Sequence, residues 1–214
     1  MNDFVNKINQ YCEAHTSPQP SILHQLERET HLKTLAPQML SGHLQGQFLS
    51  LLSKLQRPKA ILEIGAFTGY AAICLAQGLQ EGGVLHTIEA DPELEYLIRK
   101  YIALAGLEDT IHLHIADARE AIPRLEGPFD LVFIDAAKQD YALYYDLVFD
   151  KVNSGGLIIA DNVLWSGKVL DSSGREQDED AAFLHQFSEK VQLDERVENV
   201  MIPLRDGLLI ARKL

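Results

Sequence analysis

Phe129-Asp130-Leu131-Val132-Phe133-Ile134-Asp135-Ala136-Ala137-Lys138 holds an apolar run that ends on a carboxylate. Leu157 to Ala160 repeats the pattern and ends on Asp161-Asn162. Short runs that are apolar without alternation read as strands buried on both faces of a parallel sheet. Their terminal carboxylates then lie at strand C-terminal ends, where open α/β sheets bind ligands. Two carboxylates and an amide carbonyl gathered there form an all-oxygen site for a hard divalent cation. Asp135, Asp161 and Asn162 are the candidate ligands, and Lys138 places a cationic side chain beside the first. Such a site suits activation of a hydroxyl and requires a second substrate.

The surrounding chain alternates in the same style. Ala60–Ile64, Val84–Glu89, Ile111–Ile115, Leu131–Asp135 and Leu157–Asp161 read as strands, with helical patterns at about 71–80, 92–105, 118–125 and 141–151 between them. This predicts an α/β fold, a parallel sheet covered by helices on both faces. Val197–Leu204 and Gly207–Arg212 flank Arg205-Asp206-Gly207, an Asp-Gly turn that predicts an antiparallel hairpin at the sheet's edge. Residues 1–56 read as a helical extension: Phe4, Ile8, Tyr11 and Cys12 recur at helical spacing, a second segment starts at Ser21, and Leu44–Leu55 forms a third. Ser166–Asp180 is polar and reads as a mobile loop, with Asp178-Glu179-Asp180 as a helix start. The 1–40 segment and the 166–180 loop lie outside the alternating core and are expected to form the entrance for the second substrate.

Ile61-Leu62-Glu63-Ile64-Gly65-Ala66-Phe67-Thr68-Gly69-Tyr70 is a strand entering a glycine-marked turn and then a helix. Gly65 and Gly69 permit a tight turn and close ligand approach. Glu89 ends the next strand, at a distance suited to accepting hydrogen bonds from ribose hydroxyls. The third glycine of a dinucleotide fingerprint is missing, and no Gly-Lys-Ser/Thr follows, so NAD and a P-loop are disfavoured. Glu63 would repel a pyrophosphate but suits an ammonium or a sulfonium. A ribose with a cationic tail and no phosphate describes S-adenosylmethionine, and Asp117-Ala118 lies where an adenine edge could be read.

The bulk numbers fit this reading. At 214 residues with 46% hydrophobic content, one large domain with a substantial core is expected, residues 60–214 forming its α/β part. Cys12 and Cys74 have no framework or metal spacing and read as reduced thiols of a cytoplasmic protein. No signal-peptide pattern opens the chain, and no apolar run nears the ~18–20 residues of a membrane span. A net charge of −12 disfavours nucleic acid and anionic membranes as partners. His112 and His114 share a strand face, but no third ligand is near them in sequence, so a metal there is disfavoured.

The motifs Glu63-Ile64-Gly65-Ala66-Phe67-Thr68-Gly69-Tyr70, Asp135-Ala136-Ala137-Lys138, Asp161-Asn162-Val163-Leu164-Trp165 and Pro203-Leu204-Arg205-Asp206-Gly207 together resemble the cation-dependent O-methyltransferases. That group contains catechol and caffeoyl-CoA O-methyltransferase. The resemblance runs from about residue 35 to the end and implies the class I methyltransferase fold: a Rossmann-like, mostly parallel sheet of seven strands, usually in a homodimer. It implies Asp135, Asp161 and Asn162 as ligands of a divalent cation, Mg²⁺ first, with Mn²⁺ or Ca²⁺ as alternatives. It implies Lys138 as the catalytic residue that assists hydroxyl deprotonation. Ser41, Glu63, Gly65, Ala66, Ala71, Glu89, Ala118 and Asp135 match positions around S-adenosylmethionine. Trp165 and Ser166, with Lys138, match the acceptor side, where Trp165 is equally readable as core and Tyr144 or Tyr145 could add to an aromatic wall. Ala137 and Ala71 depart from the plant enzymes, which carry an aspartate and a serine there. Arg205 replaces a usual small residue and bears on the substrate or on a neighbouring subunit. The expected acceptor is a small phenolic or catechol molecule. The alternatives are a tRNA hydroxyuridine O-methyltransferase and a non-catalytic module that binds an adenosyl ligand.

Overall fold

The computed structural model describes residues 3–214, with side chains from residue 7 onward. Met1, Asn2 and the side chain of Phe4 therefore lie outside the described residues. Three helices come first: α1 (Asp3–Ala14), α2 (Ser21–Lys33) and α3 (Gly42–Gln56). Then β1 (Ala60–Ile64), α4 (Tyr70–Ala76), β2 (Val84–Glu89), α5 (Glu95–Leu104), β3 (Ile111–Ile115), α6 (Ala118–Arg124), β4 (Phe129–Ile134), α7 (Tyr141–Phe149) and β5 (Val152–Ala160) alternate. Two helices, α8 (Ser172–Gln177) and α9 (Glu179–Gln192), precede the hairpin of β6 (Val197–Ile202) and β7 (Leu208–Lys213).

All seven strands join one sheet in the order β3-β2-β1-β4-β5-β7-β6. β1 to β5 are parallel, and β7 runs antiparallel to both β5 and β6. Successive strands step from β1 towards β3, and then β4 returns to the other side of β1. That reversal opens a crevice above the C-terminal ends of β1 and β4, the place where such sheets take ligands. The register pairs Ile64 with Ile134, so Gly65 and Asp135 leave their strands side by side.

Both faces of the central strands are covered, which explains their unbroken apolar runs. Ile61, Leu131, Phe133 and Ile159 pack with residues of α2 to α5 on one face. Leu62, Ile64, Val132 and Ile134 pack with residues of α6, α7 and α9 on the other. Full burial of such a side chain is worth about 1.5–3 kcal/mol, so this doubly covered centre fixes the strand ends that carry the site.

Two expectations change. β4 and β5 begin earlier than their apolar runs, at Phe129 and Val152, because Gly155-Gly156 and polar residues interrupt the pattern without ending the pairing. The polar segment 166–180 is largely helical. Asp171 accepts from the Gly174 amide (2.8 Å) and caps α8, while Asp178 accepts from the Ala181 amide (3.2 Å) and caps α9. α8 buries none of its side chains, so no apolar period marks it. α1 forms as expected, with Ile8 and Tyr11 of its stripe exposed.

Candidate active site

The glycine turn after β1 opens onto a cavity of about 840 Å³, lined among others by Gly65, Phe67, Glu89, Asp117, Ala118 and Asp135. The turn is tied to its neighbours by backbone. The amides of Gly65 (2.9 Å) and Ala66 (3.1 Å) donate to the Ile88 carbonyl, and the Asp135 amide donates to that of Ile64 (2.9 Å). Gly65 has φ +95, and a Cβ there would lie 2.0 Å from the Asp135 carbonyl oxygen, so both its handedness and its neighbour demand glycine.

Glu89 leaves β2 with its carboxylate fixed: Oε2 accepts from the Phe67 amide (2.7 Å) and Oε1 from the Asp91 amide (2.9 Å). Burial raises its pKa, partly offset by these amides. A carboxylate offers about four acceptor sites, so two remain for ligand hydroxyls. Asp117 is engaged within its own chain, accepting from the Arg119 amide (2.8 Å) and from its guanidinium (3.0 Å from Nε), and the pair flanks Ala118 on the cavity wall. Ser41, Ala66 and Ala71 line a smaller recess that shares Gly65 and Asp135 with the main cavity. Lys33 to Ala36 and Met39 wall the main cavity, so the end of the 1–40 segment faces this pocket.

Glu63 lies fully buried beneath the turn. Its Oε2 accepts from the Thr87 hydroxyl, while among the described residues Oε1 has no partner. Burial, with smaller pushes from Asp135 and Glu89, lifts its pKa to about 8. It is not on the cavity lining; it is an acidic group one layer below.

At the ends of β4 and β5 the other candidates converge. Lys138 Nζ donates to Asp135 Oδ1 (3.1 Å), Asn162 Oδ1 (2.8 Å) and the Tyr141 hydroxyl (2.7 Å). Its side chain is only 10% exposed. Asp161 is 2% exposed, accepting at Oδ2 from Gln45 Nε2 (2.7 Å) and at Oδ1 from the Asn162 amide (2.7 Å). Burial, then the charge of Asp135, push its pKa well up. Asn162 has φ +60, a left-handed conformation that asparagine tolerates better than most side chains.

The oxygens of Asp135 and Asn162 thus point at one place, held by the Lys138 ammonium, with the buried Asp161 carboxylate next in sequence. Asp135 faces the ammonium, the two oxygens of Asp161 are engaged by Gln45 and the Asn162 amide, and every candidate cation donor is oxygen. This donor set fits a hard divalent cation. Among the described residues no three His, Cys, Asp or Glu side chains form a metal-binding group, so any cation here depends on the Asn162 amide.

Two participants escaped the sequence reading. Tyr141 bridges the cluster by accepting from Lys138 and donating to the Asp161 carbonyl (3.1 Å), yet it reads simply as the start of a helix. Gln45 reaches Asp161 from α3, and its own Oε1 is buried without a partner among the described residues. Only a polar residue within an apolar helical stripe could have signalled it.

Trp165 Nε1 donates to Asp178 Oδ2 (3.1 Å), and its ring centroid is 6.0 Å from Lys138 Nζ, which puts it beside the cluster. The Ser166 amide donates to the Asp206 carboxylate. Tyr144 lines the main cavity, but Tyr145 is core: fully buried, it donates to Asp194 (3.0 Å) and meets Phe187 edge-on. Tyr145 is thereby removed from the candidate aromatic wall.

Elsewhere, strand register brings His86 to His112 and His114. His86 Nδ1 lies 3.0 Å from His114 Nε2, and the rings of His86 and His112 are 5.3 Å apart. A third imidazole is therefore near in space though not in sequence.

Residues 13–214 match the O-methyltransferase family. The chain is similar to a catechol O-methyltransferase of Niastella koreensis, 40% identical over 136 residues, and the match spans 62% of this chain and 62% of that relative's own length. It is 31% identical to a caffeoyl-CoA O-methyltransferase of Eucalyptus globulus over 79% of this chain and 73% of the relative. A solved O-methyltransferase from Bacillus cereus, in complex with SAH, superposes with a TM-score of 0.89 at 28% identity, covering 97% of each chain.

Proposed function

This chain belongs to the O-methyltransferase family, and we propose that it moves the methyl group of S-adenosylmethionine to one hydroxyl of a small aromatic vicinal diol with the help of a divalent cation. The observation that carries this reading is the double membership of Asp135. It lines the cavity of the glycine turn and also accepts from Lys138 in the oxygen cluster, so donor pocket and hydroxyl-activating cluster share a wall. The SAH complex of the Bacillus cereus enzyme and the catechol and caffeoyl-CoA acceptors in the relatives' names support the same assignment.

Methyl transfer from a sulfonium is an in-line displacement in which alignment supplies most of the acceleration. Glu89 accepts from ribose hydroxyls, the backbone at Gly65 lets the donor approach closely, and the Asp117–Arg119 pair with Ala118 borders the adenine. Glu63 lies one layer below, kept largely protonated by burial, and a cationic tail above it would favour its ionised form. When bound by Asp135, Asp161 and Asn162, a divalent cation would favour the ionised form of an adjacent hydroxyl and fix its direction. In its neutral amine form Lys138 would take the hydroxyl proton on Nζ, and Tyr141 holds the lysine in place. Gln45 orients Asp161. Trp165 borders the acceptor.

Mg²⁺ is the proposed physiological ion, since the donors are all oxygen and the set leaves positions for water and substrate. We extend the proposal to a single-domain cytoplasmic enzyme acting as a homodimer. Exposed apolar side chains on the packed helices α1 and α3, namely Ile8, Tyr11, Leu51 and Leu55, offer a face that a second copy could cover. No helix among the described residues is long and apolar enough to cross a membrane. The test is transfer of labelled methyl from S-adenosylmethionine to a catechol before and after chelation, followed by re-addition of Mg²⁺, Mn²⁺ or Ca²⁺. Turnover that survives thorough chelation would remove the cation from the account.

A further inference from the structure

The turn between β6 and β7 carries an arginine in a left-handed conformation, Arg205 at φ +51. Glycine or asparagine sits there with less strain, so the side chain needs a reason to be present. The structure supplies one. The guanidinium turns back onto its own chain. Nη1 donates to the carbonyls of Leu40 (2.7 Å) and Ser41, and Nη2 lies 3.5 Å from that of Gln38. Three carbonyl oxygens gather round one guanidinium, whose planar fork fixes the directions of its N–H donors.

The segment so held is the wall of the donor recess. Met39, Leu40 and Ser41 line it opposite Gly65, Ala66, Phe67 and Asp135. Upstream, the segment is tied where the Thr34 hydroxyl donates to the Thr30 carbonyl (2.8 Å), and between the two ties Leu35 is fully exposed on the rim of the main cavity. The same turn grips the other side of the site. The Val163 amide donates to the Gly207 carbonyl (3.2 Å), the Leu164 amide to that of Asp206 (2.8 Å), and the Ser166 amide to the Asp206 carboxylate. One turn, residues 203–207, therefore holds both the donor-side wall and the loop that follows Asp161-Asn162.

We propose that Arg205 is a positioning residue for the methyl donor: it clasps the carbonyls of Gln38, Leu40 and Ser41 and so sets how closely the 38–41 wall stands against the glycine turn where the donor binds. The inference rests on the donor-site reading above. Removing the fork frees the 38–41 wall while leaving Glu89, the glycine turn and the oxygen cluster in place. The loss is thus in donor binding and not in the chemical step.

The experiment compares wild type, Arg205→Ala, Arg205→Lys and, as a control, Arg212→Ala, which removes an exposed partner of Glu198 on the same hairpin. Calorimetry with S-adenosylhomocysteine, donor KM against kcat and hydrogen exchange of the 36–42 amides are read on each. Arg205→Ala is expected to weaken donor binding about tenfold, keep kcat at saturating donor within about twofold and speed exchange at 36–42, with partial recovery in Arg205→Lys and no change in Arg212→Ala. Unchanged donor affinity in Arg205→Ala overturns the inference while leaving the donor reading intact. So does a fall in kcat with KM unchanged, or unfolding of both Arg205 variants, which would make the contact a purely structural tie. Absence of S-adenosylhomocysteine binding by the wild type overturns the donor reading, and the inference with it.

Discussion

The carbonyl oxygen of Asp135 lies 2.0 Å from the point where a Cβ on Gly65 would stand. Two neighbouring strands thus close on each other at the point where donor pocket and oxygen cluster meet. Gly65→Ala must push Asp135 away and also force a side chain into φ +95. A loss of roughly 2 kcal/mol or more of stability is expected, read by urea denaturation, together with loss of S-adenosylhomocysteine binding by calorimetry. Wild-type affinity in a folded Gly65→Ala protein would place the donor away from this turn.

Glu89 has two tasks that one substitution can separate. Its carboxylate accepts from the Phe67 and Asp91 amides and has acceptor sites left for a ribose. Hydrogen bonds to a charged group are worth about 1.5–3 kcal/mol, so Glu89→Ala should weaken S-adenosylhomocysteine by about tenfold or more. Glu89→Gln keeps one acceptor for the turn, loses the charge and sets an NH2 against the other amide, and should fall between the two. Equal affinity across the three proteins would show that the ribose is held elsewhere.

A candidate metal ligand at a strand end is expected to lie outside the core, where its removal is harmless to folding. Asp161 does not: it is 2% exposed and is the partner of the buried Gln45 amide. Asp161→Ala would strand both polar ends of Gln45, at a cost of about 1–3 kcal/mol for an unsatisfied buried group. Asp161→Asn retains an acceptor for Gln45 and is the cleaner probe. It should abolish turnover with a smaller fall in Tm than Asp161→Ala, and donor binding should persist in it. Equal falls in Tm for the two variants would mean that the Gln45 contact contributes nothing to the fold.

The imidazole of His86 is pushed down to about 4, first by burial and then by His114 and His112. Its unfolded value is near 6.5. A depressed pKa means that the unfolded chain binds the proton more readily, so the stability tied to neutral His86 is present above about 6.5 and lost as pH falls towards 4. Tm should decline across that window, and more steeply in wild type than in His86→Gln. Identical slopes would relieve the histidine cluster of any part in acid sensitivity.

What was legible in the sequence follows from which physical signals are local. Strands covered on both faces must be apolar throughout, so β1, β4 and the end of β5 announced themselves, and with them the positions of Gly65, Asp135 and Asp161. Helix α8 buries nothing and so left no period to read. Gln45, Tyr141 and His86 gain their partners through packing and register between elements distant in sequence, which no local pattern encodes. Arg205 stood out as an anomaly, but its direction depends on where residues 38–41 pass. Tyr145 was placed near the acceptor by its proximity in sequence to Tyr144, although the two face different surroundings on α7.

The central claim is that the oxygen cluster acts on two neighbouring hydroxyls at once. The most direct test is the initial rate of Mg²⁺-dependent methyl transfer to a catechol and to a monophenol matched in every other substituent, in the same protein preparation with and without chelator. The account predicts that the catechol turns over only with the cation and that the monophenol is slower by at least about a hundredfold, because it lacks the second oxygen needed to chelate. Equal rates on the two, or efficient methylation of a hydroxylated tRNA with no activity on any catechol, would contradict it.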